Sequence, residues 1–347
     1  HQYIRCQLPE GDPFPVASGQ CVAKLDQNES PRDLPDNLKA RITSRLTSSA
    51  WTRYPQPETY RLAKSSFAEA LGVDPDCLAI TNGCDGAIQG VHFLAGGGKR
   101  RGLCFTPTYP MLSHAGYLAG TNMRTVLAGP DYQIDPSEFH GYDLILLANP
   151  NNPTGTLTED CVIEKALDTD ALVFLDEAYF DFSQKTWLPL LGKYQNLCIG
   201  RSCSKAMMAG LRIGALISNP KVIRVYESLV TAPYHLSHLQ LIVAEMYAEV
   251  LPHVKTITNE IRHERESLRT GMNVLGVETY ASATNFILFK VNNPEFIFRE
   301  LLNNGIRIRN MQKIPGLQSH LRVTVGKPDE NSLFLDALAN AIDGVKS

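Results

Sequence analysis

Seven short apolar runs constrain this chain more than any other feature of it. They read CLAIT (77–81), GLCFT (102–106), RTVLA (124–128), DLILLA (143–148), ALVFLD (171–176), LCIG (197–200) and IGALIS (213–218). Most are apolar on both faces, and helix-like segments fill several of the gaps between them. A strand with no polar face has to be covered on both sides, which is the situation of strands in a mostly parallel sheet packed between helices. The runs therefore predict a doubly wound α/β domain whose sites form at the carboxyl ends of its strands. ETYRLAKSSFAEAL (58–71) reads as one of the helices, closed by Gly72, with a restart after Pro75.

Beyond residue 220 the pattern changes. A long helical region covers roughly 221–270, and ATNFILFKV, GIRIRN and LRVTV then supply strands interleaved with helices, the mark of a second, smaller α+β domain. The expected organisation is an N-terminal segment (1–40) packing with the small domain, a large domain (41–245) and the small C-terminal domain (246–347). A length of 347 residues suits such a division. The net charge of −3 gives no electrostatic case for binding nucleic acid or an anionic membrane, and no apolar run is long enough for a transmembrane helix. The eight cysteines are scattered without a C-x-x-C pair, which points to reduced thiols and a cytoplasmic protein. His235 and His238 have no acidic or cysteine neighbour to complete a metal site, so no metal is expected. LAGGGKRRG (94–102) lacks the G-K-[ST] ending of a phosphate loop and precedes a strand, so it reads as a surface connection.

Polar clusters stand at the predicted strand ends. LDEAYFDF (175–182) sets Asp176 at the end of an apolar run, where an aspartate serves as a helix cap, a metal ligand or the partner of a cationic ring. NPNNPTGT (149–156) is a turn that projects Asn152, and PTYPM (107–111) delivers Tyr109. TNGCDGAI (81–88) is a strand-to-helix turn whose amides at Gly83, Cys84 and Asp85 suit a phosphate. RSCSKAMMAGLR (201–212) places Lys205 among small hydroxyl and thiol side chains. Together these residues supply what pyridoxal phosphate needs: a lysine for its aldehyde, an acid for its ring nitrogen, an aromatic ring to stack, and N–H, hydroxyl and guanidinium donors for its phosphate.

The collinear order RYPQP, TNGCDGAI, PTYPM, NPNNPTGT, LDEAYFDF, RSCSK, GLRIG, RIRN, LRVTVG resembles the fold-type-I aminotransferases, and within these the histidinol-phosphate aminotransferase family. The motifs span residues 24 to 327. The resemblance implies a pyridoxal-phosphate enzyme exchanging an amino group between histidinol phosphate, or a related amine, and 2-oxoglutarate/glutamate. Its alternatives are an aminotransferase for a different biosynthetic amino acid and a decarboxylase like the threonine-phosphate enzyme. By resemblance Lys205 is the Schiff-base lysine, with burial and Arg212 favouring its neutral amine. Asp176 pairs with the pyridine nitrogen, Tyr179 and Asn152 donate to the ring's phenolic oxygen, and Tyr109 stacks on the ring. Cys84, Asp85, Ser202, Ser204 and Arg212 form the phosphate cup, and Tyr54 reaches the site of a neighbouring subunit in a homodimer. Arg322, Arg309, Tyr234, Asn28 and Arg32 are the implied substrate contacts.

Three positions depart from the family's pattern. DQNESPR (26–32) has Arg32 where a phosphate-binding tyrosine is expected, Gly86 stands where a glutamate is common, and Lys205 to Arg212 spans seven steps in place of eight.

Overall fold

The computed structural model describes residues 21–346. Residues 1–20, half of the segment expected to pack with the small domain, lie outside the described residues. The apolar runs do become strands. In chain order β1 (Ala23–Lys24) precedes the helices α1 (Asp36–Ser48) and α2 (Pro57–Leu71). Then come β2 (Leu78–Asn82), α3 (Gly83–Ala95), β3 (Arg101–Thr106), α4 (Met111–Ala119), β4 (Asn122–Leu127), β5 (Leu144–Ala148), α5 (Asp160–Leu167), β6 (Leu172–Asp176), α6 (Phe180–Ser183), β7 (Leu197–Ser202) and β8 (Ile213–Ser218). Seven of these strands form one sheet in the order β2-β8-β7-β6-β5-β3-β4. Only β8 runs against its neighbours β2 and β7; the other pairs are parallel. All five residues of β5 and all six of β8 are buried, as a strand covered on both faces requires. RTVLA is the exception: β4 is the sheet's edge and no residue of it is fully buried.

The helical region after residue 220 is not continuous. It comprises α7 (Pro220–Val225), a wider turn at Tyr226–Val230, α8 (His238–Glu245) and α9 (Tyr247–Val274). Pro233 disfavours helix at the residue before it, and Tyr234 takes a left-handed φ of 56°. Ser237 then starts α8 with a capping box, exchanging hydrogen bonds with Gln240.

The small sheet contains β9 (Glu278–Thr279), β10 (Phe286–Lys290), β12 (Arg309–Asn310) and β13 (His320–Thr324) in the antiparallel order β12-β13-β10-β9, flanked by α10 (Pro294–Asn303) and α11 (Pro328–Lys346). Separately, β11 (Ile306–Arg307) pairs in parallel with β1, so residues 23–24 join the C-terminal part of the chain. The helix α1, by contrast, begins at Asp36 and packs its Leu38 and Ile42 into the same apolar cluster as Leu241 and Val243 of α8. Among the described residues no helix is long and apolar enough to cross a membrane.

Candidate active site

The parallel register aligns the ends of three adjacent strands. Ala148 of β5 lies opposite Asp176 of β6, which lies opposite Gly200 of β7. The segments that continue from these ends carry Asn152, Tyr179 and Lys205, and they line one cleft of about 550 Å³ with Cys84, Asp85, Tyr109, Ser202, Ser204 and Arg212.

Lys205 sits in a π turn, Ser204–Met208, closed by the Met208 amide donating to the Cys203 carbonyl at 3.1 Å. A tight turn, Ala209–Leu211, and a left-handed Arg212 (φ 53°) follow before β8 begins. Such single π turns recur at functional sites. Here the turn widens the loop on one side of Met208 and the tighter turn narrows it on the other. The seven-step loop thereby still returns Arg212 to Ser204, whose Oγ accepts from Nη1 at 3.4 Å.

The first turn of α3 has no side-chain cap, so its leading N–H groups are available to an anion. Arg212 Nη2 donates to Asp85 Oδ2 at 2.8 Å, and Tyr109 donates to Asp85 Oδ1 at 2.9 Å. Burial and then Asp85 hold the Tyr109 hydroxyl far above its ordinary titration range. Two glycines make the cradle. A Cβ on Gly83 (φ +67°) would stand 2.8 Å from Arg212 Nη2, and one on Gly214 would stand 2.5 Å from the Gly83 carbonyl carbon.

Asp176 accepts from the Ala178 amide at 3.0 Å and from the Cys84 thiol at 3.3 Å. Burial nevertheless pushes its carboxyl up to about 6. Burial likewise pushes Tyr179 up to about 12, opposed by Arg322 and by Asn28, whose Nδ2 donates to the phenol oxygen at 2.8 Å. Lys205 Nζ lies 3.5 Å from the Gln27 carbonyl oxygen and 6.0 Å from the centroid of the Tyr179 ring. Its amine is lowered to about 8, first by burial and next by Arg322; Arg212 lowers it too, as expected, but contributes least of the causes.

Of the substrate residues, Arg322 and Arg309 face each other in register across β13 and β12. Arg322 is buried, and burial lowers it to about 10. It donates to Asn152 Oδ1 and, at 2.8 Å, to the Asp26 carbonyl. All of β13 is buried, so LRVTV has no exposed polar face. None of the five lines the cleft itself; Arg322 meets it through Asn152. Arg32 pairs with Glu260 at 2.9 Å in an outer cleft that also carries His263 and Lys327, because α9 brings an acid beside it. Tyr234 is exposed and stacks on Tyr54, which is more exposed still, with centroids 4.3 Å apart. Asn28, left-handed at φ 55°, is buried and has both its amide and its backbone groups engaged. Sequence reasoning missed Ala148, Pro150 and Ala178, the apolar wall of the cleft, and the buried Glu177–Arg201 pair behind it. The period-2 alternation of RSCSK offered a signal for Arg201, one step before Ser202.

These donors fit pyridoxal phosphate by their chemistry. A carboxyl partly shielded from ionisation suits a ring nitrogen that brings a proton, an amine lowered to about 8 suits an aldehyde, and an uncapped helix start with two serines and an arginine suits a phosphate. Residues 21–338 match the family Aminotransferase class I and II. The chain is 35% identical to histidinol-phosphate aminotransferase of Chlorobium phaeovibrioides over 99% of its own length and 98% of that protein's. It is 34% identical to the enzyme of that name from Pyrococcus furiosus over 96% of each. The chain belongs to the class I and II aminotransferases, in the histidinol-phosphate aminotransferase family.

This aminotransferase is a pyridoxal-phosphate-dependent enzyme. Its fold is that of histidinol-phosphate aminotransferase from Clostridium acetobutylicum, with a TM-score of 0.85 at 21% identity over 93% of this chain and 100% of that one. The Sinorhizobium meliloti enzyme of the same name, solved in complex with pyridoxal-5'-phosphate, gives 0.82 at 24% over 94% and 92%. The cleft lies at the carboxyl ends of β5, β6 and β7, and Arg322 of the small sheet meets Asn152 on its wall.

Proposed function

We propose that the chain transfers an amino group between histidinol phosphate and the 2-oxoglutarate/glutamate pair, with residues 41–245 binding the cofactor and residues 246–347 closing over the substrate. The observation that carries the reading is the juxtaposition of one partly neutralised lysine, one carboxyl, one cation-bound asparagine and two registered arginines.

Bound pyridoxal phosphate supplies an aldehyde for the amine and a protonated ring that draws electrons from the carbon bearing it. The chain's own residues do the rest. Asp176, whose charge is costly where it is buried, gains a cationic partner in the ring nitrogen and holds the proton there. Asn152 commits its oxygen to Arg322, which leaves its NH₂ group as a donor, and Tyr179 supplies a second donor beside it. The α3 amides, Ser202, Ser204 and Arg212 hold the phosphate, and Tyr109 flanks the ring. Lys205, neutral above about pH 8, takes the proton from the amine-bearing carbon and returns it. Arg322 suits the planar carboxylate of glutamate, and Arg309 beside it suits the phosphate at the far end of the amine substrate. Tyr54 and Tyr234, an exposed aromatic pair, support a homodimer in which a second copy covers them. Seven described cysteines are free thiols, in keeping with a cytoplasmic place in histidine biosynthesis.

A single-turnover amine panel tests the substrate. Histidinol phosphate is expected to change the visible spectrum of the cofactor-loaded protein faster than phosphothreonine or aromatic amino acids. Release of CO₂ from phosphothreonine, with no response to histidinol phosphate, would replace transamination by decarboxylation. Arg309→Ala is expected to slow the histidinol-phosphate half-reaction far more than the glutamate one, and equal losses would contradict its role.

A further inference from the structure

Asn28 lies 148 residues before Asp176 in the chain yet reaches into the same site, and every hydrogen-bonding group it owns is committed. Its backbone N–H donates to Thr324 Oγ1 at 3.0 Å and its backbone carbonyl accepts from Asn285 Nδ2 at 3.0 Å. Thr324 has a single hydroxyl proton, and it goes to Asn28 Oδ1 at 3.0 Å. With the amide oxygen on Thr324, the NH₂ group is on Tyr179, donating to its hydroxyl at 2.8 Å. An asparagine so engaged, 2% exposed and absent from the cleft wall, is not placed to touch a substrate. The left-handed φ of 55° is one that asparagine tolerates better than other side chains.

A phenol hydroxyl that accepts from Asn28 keeps its own proton to donate, and Tyr179 lines the cleft. We infer that Asn28 is a positioning residue for the cofactor and not a substrate contact: together with Thr324 it forces Tyr179 to act as a hydrogen-bond donor toward the cofactor's phenolic oxygen. The inference rests on the reading that pyridoxal phosphate occupies this cleft. It assigns to the segment after β1 and to β13 a joint task in orienting one proton, since Thr324 lies two residues beyond Arg322 on that strand.

Asn28→Asp tests it with little change of shape and the same tolerance of left-handed backbone. The new oxygen accepts where the NH₂ group donated, so the Tyr179 proton turns away from the cleft. A donor to the phenolic oxygen favours the deprotonated chromophore, so its loss raises the pH midpoint of the visible band, by about one unit for one charge-assisted hydrogen bond. Asn28→Gly, which keeps the backbone and removes the donor, is expected to raise the midpoint by about half a unit, and not at all in a Tyr179→Phe background. The inference is overturned if Asn28→Gly shifts the midpoint equally with and without the Tyr179 hydroxyl. It is also overturned if both variants keep the wild-type midpoint and only raise KM for the amine. A wild-type protein that acquires no visible band with the cofactor overturns the cofactor reading itself, and with it this inference.

Discussion

Two arginine–carboxylate pairs flank Lys205, and they have the same N–O distance of 2.8 Å. Arg201–Glu177 is sealed, with side chains 8% and 0% exposed, whereas Arg212–Asp85 opens onto the cleft at 48% and 34%. The first is also surrounded. Glu177 accepts from Thr186 Oγ1 at 2.9 Å and from the Trp187 amide at 2.8 Å, and the Arg201 guanidinium lies 3.5 Å over the Phe180 ring. The second pair has Tyr109 on the carboxylate and a serine on the guanidinium, with the uncapped start of α3 alongside. One pair is therefore a fixture that ties β7 to the segment after β6, and the other is an open pair on the wall of the cleft. Distance does not separate a structural pair from a binding pair; burial and the number of other partners do.

Breaking the comparison at its strongest point means removing one partner of the sealed pair. Arg201→Met leaves Glu177 charged and buried, and we expect a loss of about 3–5 kcal/mol in denaturant unfolding. Adding Glu177→Gln should recover much of it. Arg212→Met, with the open pair, should cost at most about 1 kcal/mol of stability. The same change should weaken binding of pyridoxal phosphate about 10- to 100-fold in a fluorescence titration, as one charged hydrogen-bonding group is lost. Equal stability losses in the two variants would erase the distinction.

The lysine between the pairs sharpens it by pH. The folded chain holds the Lys205 amine at about 8, below the ordinary lysine value of 10.5, so its proton leaves as pH rises through 8 while an unfolded lysine stays charged. Between those two values the unfolded state binds more protons, and this group's contribution to stability rises with pH; below 8 it is flat. Cofactor uptake by the ligand-free protein should fall about tenfold per pH unit below 8 and level off above it. Arg322→Met, which removes the second cause of the depression, should move that midpoint upward. The smallest effect belongs to Arg32. Paired with Glu260 on an outer cleft, it should change KM for either substrate by no more than about twofold when replaced by alanine.

The comparison also shows what a sequence can carry. The central strands were legible because burial on both faces leaves an unbroken apolar run, and the turn residues after β5 and β6 announced that polar groups gather there. Lys205, Asp176, Asn152, Tyr179 and the α3 turn come together in one cleft for that reason. Contacts made across the chain were not legible. Glu260 beside Arg32 depends on how α9 lies against residue 32, and Arg322 beside Asn152 depends on how the small sheet docks. Arg212, near in sequence, was legible as a cause of the lysine's depression, whereas the buried guanidinium of Arg322 on β13, which acts more strongly through space, was not. The break before α8 had a local signal, the S-x-x-Q of residues 237–240, which a count of helical periodicity passed over.

The central claim is that Lys205 captures pyridoxal phosphate in this cleft, and the visible spectrum tests it most directly. Titrating the purified chain with the cofactor above pH 8 should produce a visible band that saturates at one cofactor per chain. In Lys205→Ala that band should be missing, with the cofactor still held by the phosphate cradle and activity lower by more than about 10⁴-fold. A wild-type spectrum equal to that of free cofactor, or an undiminished band in Lys205→Ala, would contradict the account.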